Sequence, residues 1–378
     1  MKKFINVTVY ILLLVMIGMN IALVLERPQA GKLAEIEMLI EDKFIEEPEL
    51  EPLRDAAAQA MVKATGDRWS YYISAEDYES HMEQMENAYV GVGITILIQE
   101  EGILIQQVTP GGPAEEAGLL ADDVILTIEG QSTLGMDAEA ARNLVRGKEG
   151  TCVSMTVLRQ GQELDFDVER RTIETVVAQG QMLRDNIGYV QIFNFDTRCY
   201  DETVAAIESL LDQGAEKLIF DVRFNPGGYA RELVKVLDYL LPEGELFRTV
   251  DYAGREDVDM SDADYLDVPM AVLVNGDSYS AAEFFAAALS EYDAAVVVGE
   301  KTVGKGYFQT TYRLSDGSAL NISIGKYFTP KGVSLAGVGI TPDVELPVDE
   351  DTYWDIYAGK VPVEEDIQIQ AAVEALSK

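Results

Sequence analysis

Residues 272–309 read VLVNGDSYSAAEFFAAALSEYDAAVVVGEKTVGKGYFQ, and their order decides the fold. An apolar strand over 271–274 stops at the tight turn Asn275-Gly276-Asp277. Ser278, Tyr279 and Ser280 come next, then a helix-forming run over 281–289. After Glu291-Tyr292-Asp293, a second β-branched run over 294–298 enters a glycine-flanked loop that holds Lys305. A serine at the mouth of a helix, after a strand and a tight turn, is well placed for a nucleophile. Unpaired N–H groups and the positive end of the helix dipole suit a developing oxyanion there.

Such a serine needs a base. The chain has one histidine, His81, in the polar segment AEDYESHMEQMENAY, far in sequence from every serine motif. An ordinary solvated surface histidine accounts for it, and a Ser-His-Asp arrangement is disfavoured. The other common base is a lysine kept neutral by burial. Lys305 fits, lying between Gly304 and Gly306 with Val303, Tyr307 and Phe308 close by. To act near neutral pH its pKa must fall from about 10.4 towards 7, which desolvation can supply. A surface loop lysine is the ordinary alternative on these residues alone.

The stretch resembles the active-site region of the carboxyl-terminal processing proteases, also called tail-specific proteases, which use a Ser-Lys dyad. Their pattern G-S-A-S-A-S-E, helix, V-x-G-E-x-T-F-G-K-G-x-x-Q stands here as GDSYSAAE and VVGEKTVGKGYFQ. The resemblance implies Ser280 as nucleophile, three residues before Glu283, and Lys305 as base. It implies Gln309 as the residue that orients the lysine. The family's D-x-R-x-N-P-G-G motif stands here as 221–228, DVRFNPGG. The N–H of Ala281 and one from Gly227 or Gly228 would then form the oxyanion hole. Tyr279, Ala282 and Val303 depart from the pattern without removing a catalytic group, and Tyr279 would narrow the mouth of the site.

At 378 residues the chain is too long for one typical core, so two or three domains are expected. Against 29 basic residues stand 66 acidic ones, a net charge of −37. That disfavours nucleic acid and anionic membrane surfaces as partners. Residues 1–25 read as a targeting element: Lys2 and Lys3 precede an uncharged apolar run over 4–25. As a helix this run is long enough for a bilayer core, so an uncleaved signal anchor is expected. A cleaved signal with a weak exit at Ala30 is the alternative. The lysines hold the N-terminus in the cytoplasm and place the chain beyond the apolar run outside it, at the cell membrane or, after cleavage, secreted or periplasmic.

Residues 32–86 read as an acidic helical segment, with EEPELEP as a solvated linker between two helices. In the family this part helps to build a dimer, which implies a homodimer here. Residues 89–172 resemble a PDZ domain. YVGVGI (89–94) matches its carboxylate-binding loop, with Val92, Gly93 and Ile94 as peptide-binding residues. VTPGGPAEEAGLLADDVILTIEGQ matches its interior, residues 137–145 its groove helix, and 151–159 with 163–170 its last strand pair. Arg146, in NLVRGKEG, is implied as a relay to the protease domain. Over 173–350 strands alternate with helices, an α/β core with active loops at strand ends. By resemblance this is a crotonase-like, ClpP-like spiral protease core with the PDZ domain inserted, and 351–378 is a C-terminal segment where the resemblance fades. The acidic run DYAGREDVDMSDADYLD lacks calcium-loop spacing and reads as an exposed connection, so no metal is expected. Cys152 reads as a core-facing strand residue, so a disulfide to Cys199 is not favoured. Glu291 is expected to be structural.

Together these readings imply an extracytoplasmic, membrane-anchored serine endopeptidase, gated by its PDZ domain, that cuts protein substrates with free C-termini near those ends. No cofactor is implied. A non-catalytic peptide-binding scaffold is the rival from another class, and a protease dedicated to one signalling partner differs only in breadth of substrate. Retention of Ser280, Lys305 and Gln309 together counts against the scaffold.

Overall fold

The structure is a computed structural model describing residues 31–85, 88–99 and 102–377. The apolar run over 4–25 lies outside the described residues. The chain divides into two compact units, one with residues up to 75 and 311–322, the other with 76–310 and 323–377.

The first unit holds α1 (Lys32–Lys43), α2 (Leu50–Lys63) and β1 (Tyr71–Ile73). Neither helix has a buried residue, and Leu33, Leu39 and Met61 are exposed. The Arg54 guanidinium joins the helices through Glu37. The Tyr72 hydroxyl donates to Asp55 at 2.7 Å. β1 pairs antiparallel with residues 319–321. EEPELEP is not wholly a linker, because α2 begins at Leu50. Pro52 falls in the first turn, where a missing N–H costs nothing.

The second unit opens with α3 (Tyr78–Met85) and β2 (Ala88–Gly91). His81, on α3, is half-buried rather than solvated, and burial lowers its pKa. An antiparallel sheet comes next, built from β3 (Ile94–Gln99), β4 (Gly102–Val108), β5 (Val124–Ile128), β6 (Gln131–Ser132), β7 (Cys152–Arg159) and β8 (Gln162–Glu169). Its order is β3-β4-β5-β7-β8, with β6 on β5 and β3 at the edge. Between the strands lie α4 (Pro113–Ala117) and α5 (Ala138–Val145), the latter capped by the Asp137 carboxylate, which accepts from Ala140 N–H. β9 (Arg171–Glu174) returns to pair with β2. Ile103, Ile105, Ile125, Val153, Met155 and Val157 form the core. Because Val153, Met155 and Val157 take the inward positions of β7, the alternation turns Cys152 outward, and it is exposed. Cys199 is buried.

The larger part runs β10 (Ala178–Met182), β11 (Ile187–Ile192), α6 (Cys199–Asp212), β12 (Lys217–Asp221), α7 (Ala230–Leu240), β13 (Gly244–Asp251) and β14 (Glu256–Ser261). It continues with β15 (Met270–Val274), α8 (Ala281–Glu291), β16 (Ala295–Gly299), β17 (Tyr307–Arg313), β18 (Ala319–Phe328) and β19 (Val344–Glu345), closing on α9 (Glu350–Tyr357) and α10 (Ile367–Ala375). One sheet has the order β10-β11-β12-β15-β16-β19, with β10 antiparallel on the edge and the remaining pairs parallel. Every residue of β15 is buried, as a strand covered on both faces requires. Val190, Phe220 and Val272 point to the cluster shared with α6, α7 and α8. Ile187, Ile219 and Leu273 point the other way, to Ile369, Ala372 and Val373 of α10.

Part of the acidic run over 251–267 is not a connection. It supplies β14, paired antiparallel with β13. Arg248 on β13 binds Glu245 and Glu256, so the hairpin partly neutralises its own charge.

Candidate active site

Three loops at the ends of parallel strands converge, as the order of the α/β core requires. The first leads out of β15. Ser280 is the residue before α8 and is 6% exposed. Its backbone has φ 60° and ψ −125°, a conformation costly for any residue with a Cβ. Asn275 and Ser278 shape the turn that leads to it. The Ser278 hydroxyl donates to Val222 carbonyl at 2.7 Å, and the Asn275 side-chain oxygen accepts from Phe224 and Asp277 N–H.

The second loop leads out of β12 and carries the NPGG sequence. Asn225 is fully buried and bonds to three segments: its amide donates to Ile192 carbonyl, its side-chain oxygen accepts from Gly227 N–H, and its carbonyl accepts from Tyr279 N–H at 3.1 Å. Gly227 has φ 90°, and a Cβ there would lie 2.7 Å from Ser280 Cβ and 2.9 Å from Ala281 nitrogen. Only glycine lets this loop approach the serine so closely. At Gly228, with φ 149°, a Cβ would meet Phe195 carbonyl oxygen at 2.3 Å. Gly227 N–H is spent on Asn225, whereas Gly228 N–H meets no acceptor among the described residues.

The third loop leads out of β16 and carries Lys305, which is half-buried, with Nζ 5.7 Å from the centroid of the Tyr279 ring. The Tyr279 hydroxyl has its pKa raised by burial and by the charge of Asp277. Gln309, on β17, donates its amide to Tyr307 carbonyl and to the Ser323 hydroxyl, both at 3.0 Å. These bonds fix its nitrogen end in the sheet; neither is to Lys305.

One residue joins two of these loops, and the motif reading gave it no role. The fully buried Glu283 carboxylate accepts from Ser280 N–H at 3.0 Å, Thr302 hydroxyl at 2.5 Å, Gly304 N–H at 2.7 Å and Lys305 N–H at 2.8 Å. Burial raises its pKa, while these four hydrogen bonds oppose that. The signal was present as Ser-x-x-Glu at 280–283, the pattern of a capping box at a helix start.

Around this centre the C-terminal segment closes a second layer. Arg223, in the NPGG loop, is paired with Asp221 at 2.6 Å and with Asp366 at 2.8 Å, all three side chains buried. The Tyr189 hydroxyl donates to Asp221, and Arg223 also donates to Gln368. Phe224, with φ 60°, packs its ring against Tyr353 and Tyr357 of α9, and the Tyr353 hydroxyl donates to Asp277. Glu291 accepts from Thr329 hydroxyl and Lys331 N–H, a structural anchor as expected. Among the described residues no three His, Cys, Asp or Glu side chains converge as they would on a metal ion.

In the PDZ-like region, a cavity of about 260 Å³ is bounded by the loop Val92, Gly93 and Ile94 and by α5. The loop's carbonyls are engaged: Val92 accepts from Ala114 N–H and Gly93 from Thr109 N–H, both at 2.9 Å. The N–H groups of Val92 and Gly93 meet no acceptor among the described residues. Arg146 closes the end of α5, its guanidinium carbon 5.7 Å from the centroid of the Tyr89 ring.

Residues 186–346 match the model of Peptidase family S41, and residues 104–159 match that of a PDZ domain. The carboxy-terminal processing protease CtpA of Bacillus subtilis is 33% identical over 313 residues, covering 82% of this chain and 67% of that protein. A probable CtpA-like serine protease of Staphylococcus saprophyticus is 32% identical over 327 residues, covering 85% of this chain and 66% of that protein. The chain thus spans about two thirds of the length of these relatives. A solved structure of a putative S41 protease from Bacteroides fragilis shares the fold, with TM-score 0.54 at 18% identity over 90% of this chain and 96% of that one. The chain belongs to the carboxyl-terminal processing proteases, a family of serine-type peptidases with a PDZ domain.

Proposed function

We propose that the chain is a membrane-anchored, extracytoplasmic endopeptidase that cuts protein substrates near their C-termini through Ser280 and Lys305. Ser280 Oγ attacks the scissile carbonyl while neutral Lys305 takes its proton. The oxyanion is held by Ala281 N–H at the start of α8 and by Gly228 N–H, since Gly227 N–H is already bonded to Asn225. Lys305 then protonates the departing amine, and water repeats the sequence on the acyl-enzyme. Gln309, its amide nitrogen fixed on Tyr307 and Ser323, has its side-chain oxygen to offer the lysine.

The observation that carries this reading is the Glu283 carboxylate, which accepts the backbone N–H of both Ser280 and Lys305. A single buried acid thereby sets the nucleophile loop against the base loop, a preorganisation that the proposed chemistry requires. The free N–H groups of Val92 and Gly93 support capture of a terminal carboxylate by the PDZ domain, and Lys2, Lys3 and the apolar run over 4–25 support the anchor. Exposed apolar residues on α1 and α2 support a homodimer.

The test incubates the full chain with an unfolded protein and reads the products by mass spectrometry. Ser280→Ala and Lys305→Ala each remove several orders of magnitude of activity and leave the fold intact. Either variant cutting at the parental rate shows the dyad to be wrong. Activity rises with pH as the base loses its proton and is insensitive to chelators. Recovery of the chain from salt-washed membranes checks the anchor.

A further inference from the structure

The PDZ groove contains one feature that capture of a carboxylate does not explain. Arg142 lines the cavity from α5, and its guanidinium makes no ion pair or hydrogen bond to the described residues, while its carbonyl accepts from Arg146 N–H. The chain has 66 acidic residues against 29 basic ones, so an acidic partner for an arginine is easily found elsewhere on it. Among the described residues no acidic side chain lines this cavity, whose other walls include Ile94, Ile96 and Val145.

The geometry points to a specific tail: we propose that the groove selects chain ends with an acidic side chain two positions before an apolar last residue, and that Arg142 reads the acid. This rests on the proposed capture of chain ends and names which ends are taken. Among the described residues β3 is an edge strand, bonded to β4 alone, so a peptide can add beside it. Its terminal carboxylate is fixed at the Val92-Gly93 N–H groups. Arg146, stacked on Tyr89 just before that loop, shows that the C-terminal end of α5 lies at the carboxylate end. Arg142 is four residues earlier, about 6 Å back along the helix at ~1.5 Å per residue. An extended peptide advances roughly 6.6 Å in two residues and returns its side chain to the same face. The last side chain therefore enters the apolar pocket near Val145, and the one two positions upstream arrives opposite Arg142. A carboxylate there meets a planar guanidinium and, among the described lining residues, no competing acid, an arrangement that favours acid over its neutral isostere.

The experiment measures binding of fluorescein-labelled decapeptides ending in Glu-Ala-Leu, Gln-Ala-Leu or Lys-Ala-Leu to the full chain carrying Ser280→Ala, which prevents cutting. The Glu peptide binds about fivefold tighter than the Gln peptide, with the Lys peptide weakest, and the preference shrinks as salt is raised. Arg142→Gln erases the difference between Glu and Gln. Arg142→Glu turns the preference towards Lys. Equal binding of Glu and Gln peptides to the parent, or a preference that survives Arg142→Gln, overturns the proposal and leaves chain-end capture standing. If none of the three peptides binds, or amidated forms bind as well, chain-end capture fails and this proposal with it.

Discussion

Arg223 Nη1 lies 2.8 Å from Asp366 Oδ2, a contact between residues 143 positions apart that ties the NPGG loop to the start of α10. Asp366 also caps that helix, accepting from the N–H groups of Gln368 and Ile369. Asp366→Ala removes the cap and leaves a buried guanidinium with half its charge partners. The expected cost is about 3–5 kcal/mol, read by urea unfolding. Because the loop carries the proposed oxyanion donor, kcat should fall in the surviving folded fraction while KM changes little. An unchanged kcat would confine Asp366 to stability.

Glu283 gives a pH-dependent signature. Burial raises its folded-state pKa above the ordinary carboxylate range, so the folded protein holds that proton more tightly than the unfolded chain. Its contribution to stability is therefore full in acid and is lost as pH rises from the unfolded value, about 4.3, through the raised folded value. Glu283→Gln removes this dependence. The stability of the parent relative to the variant should decline across that window in urea unfolding run at successive pH values. The variant should also lose at least tenfold in activity, since an amide offers one acceptor oxygen to four donors. A variant of parental activity would show that the shared carboxylate does not set the site.

Ser280 occupies a strained backbone, and strain can be separated from the proposed chemistry by comparing two variants without the hydroxyl. Ser280→Ala and Ser280→Gly both lack the hydroxyl, but only glycine accepts φ 60° without penalty. Despite its greater chain entropy when unfolded, the glycine variant should be more stable by about 1 kcal/mol, measured by calorimetry. Equal melting temperatures would mean that the turn stores little strain.

The PDZ loop is tested with one substrate in two forms, free and amidated at its C-terminus. The free form should be cut faster. Gly93 has φ 75°, and a Cβ there would sit 3.1 Å from Thr109 Cβ, so Gly93→Val distorts the loop and should abolish the difference. Equal rates for both forms in the parent would remove chain-end recognition from the mechanism.

How far the sequence carried depends on the range of each interaction. Strand alternation and local caps are short-range, so β5, α5 and the β7–β8 pair fell within a residue of expectation. The Glu283 bonds to Ser280 belong to a four-residue pattern, yet its bonds to Gly304 and Lys305 exist only once two strands bring the loops together. The Arg223–Asp366 pair depends on α10 crossing the far face of the sheet, a placement set by Ile369, Ala372 and Val373 packing rather than by any motif. The β13–β14 hairpin was missed because its charged residues pair with one another and mask the alternation. The Cys152 misreading was a one-position error of face, which in a strand inverts every side chain.

That outward-facing cysteine makes the protein easy to instrument. The sequence has only two thiols, and the other, Cys199, is fully buried with its ionisation suppressed by burial. A maleimide dye reacts through thiolate and needs access, so it should attach at Cys152 alone. The label then sits on β7, with β4 and β5 between it and the β3 edge proposed to take the peptide, and reports on the PDZ domain without any cysteine having to be engineered.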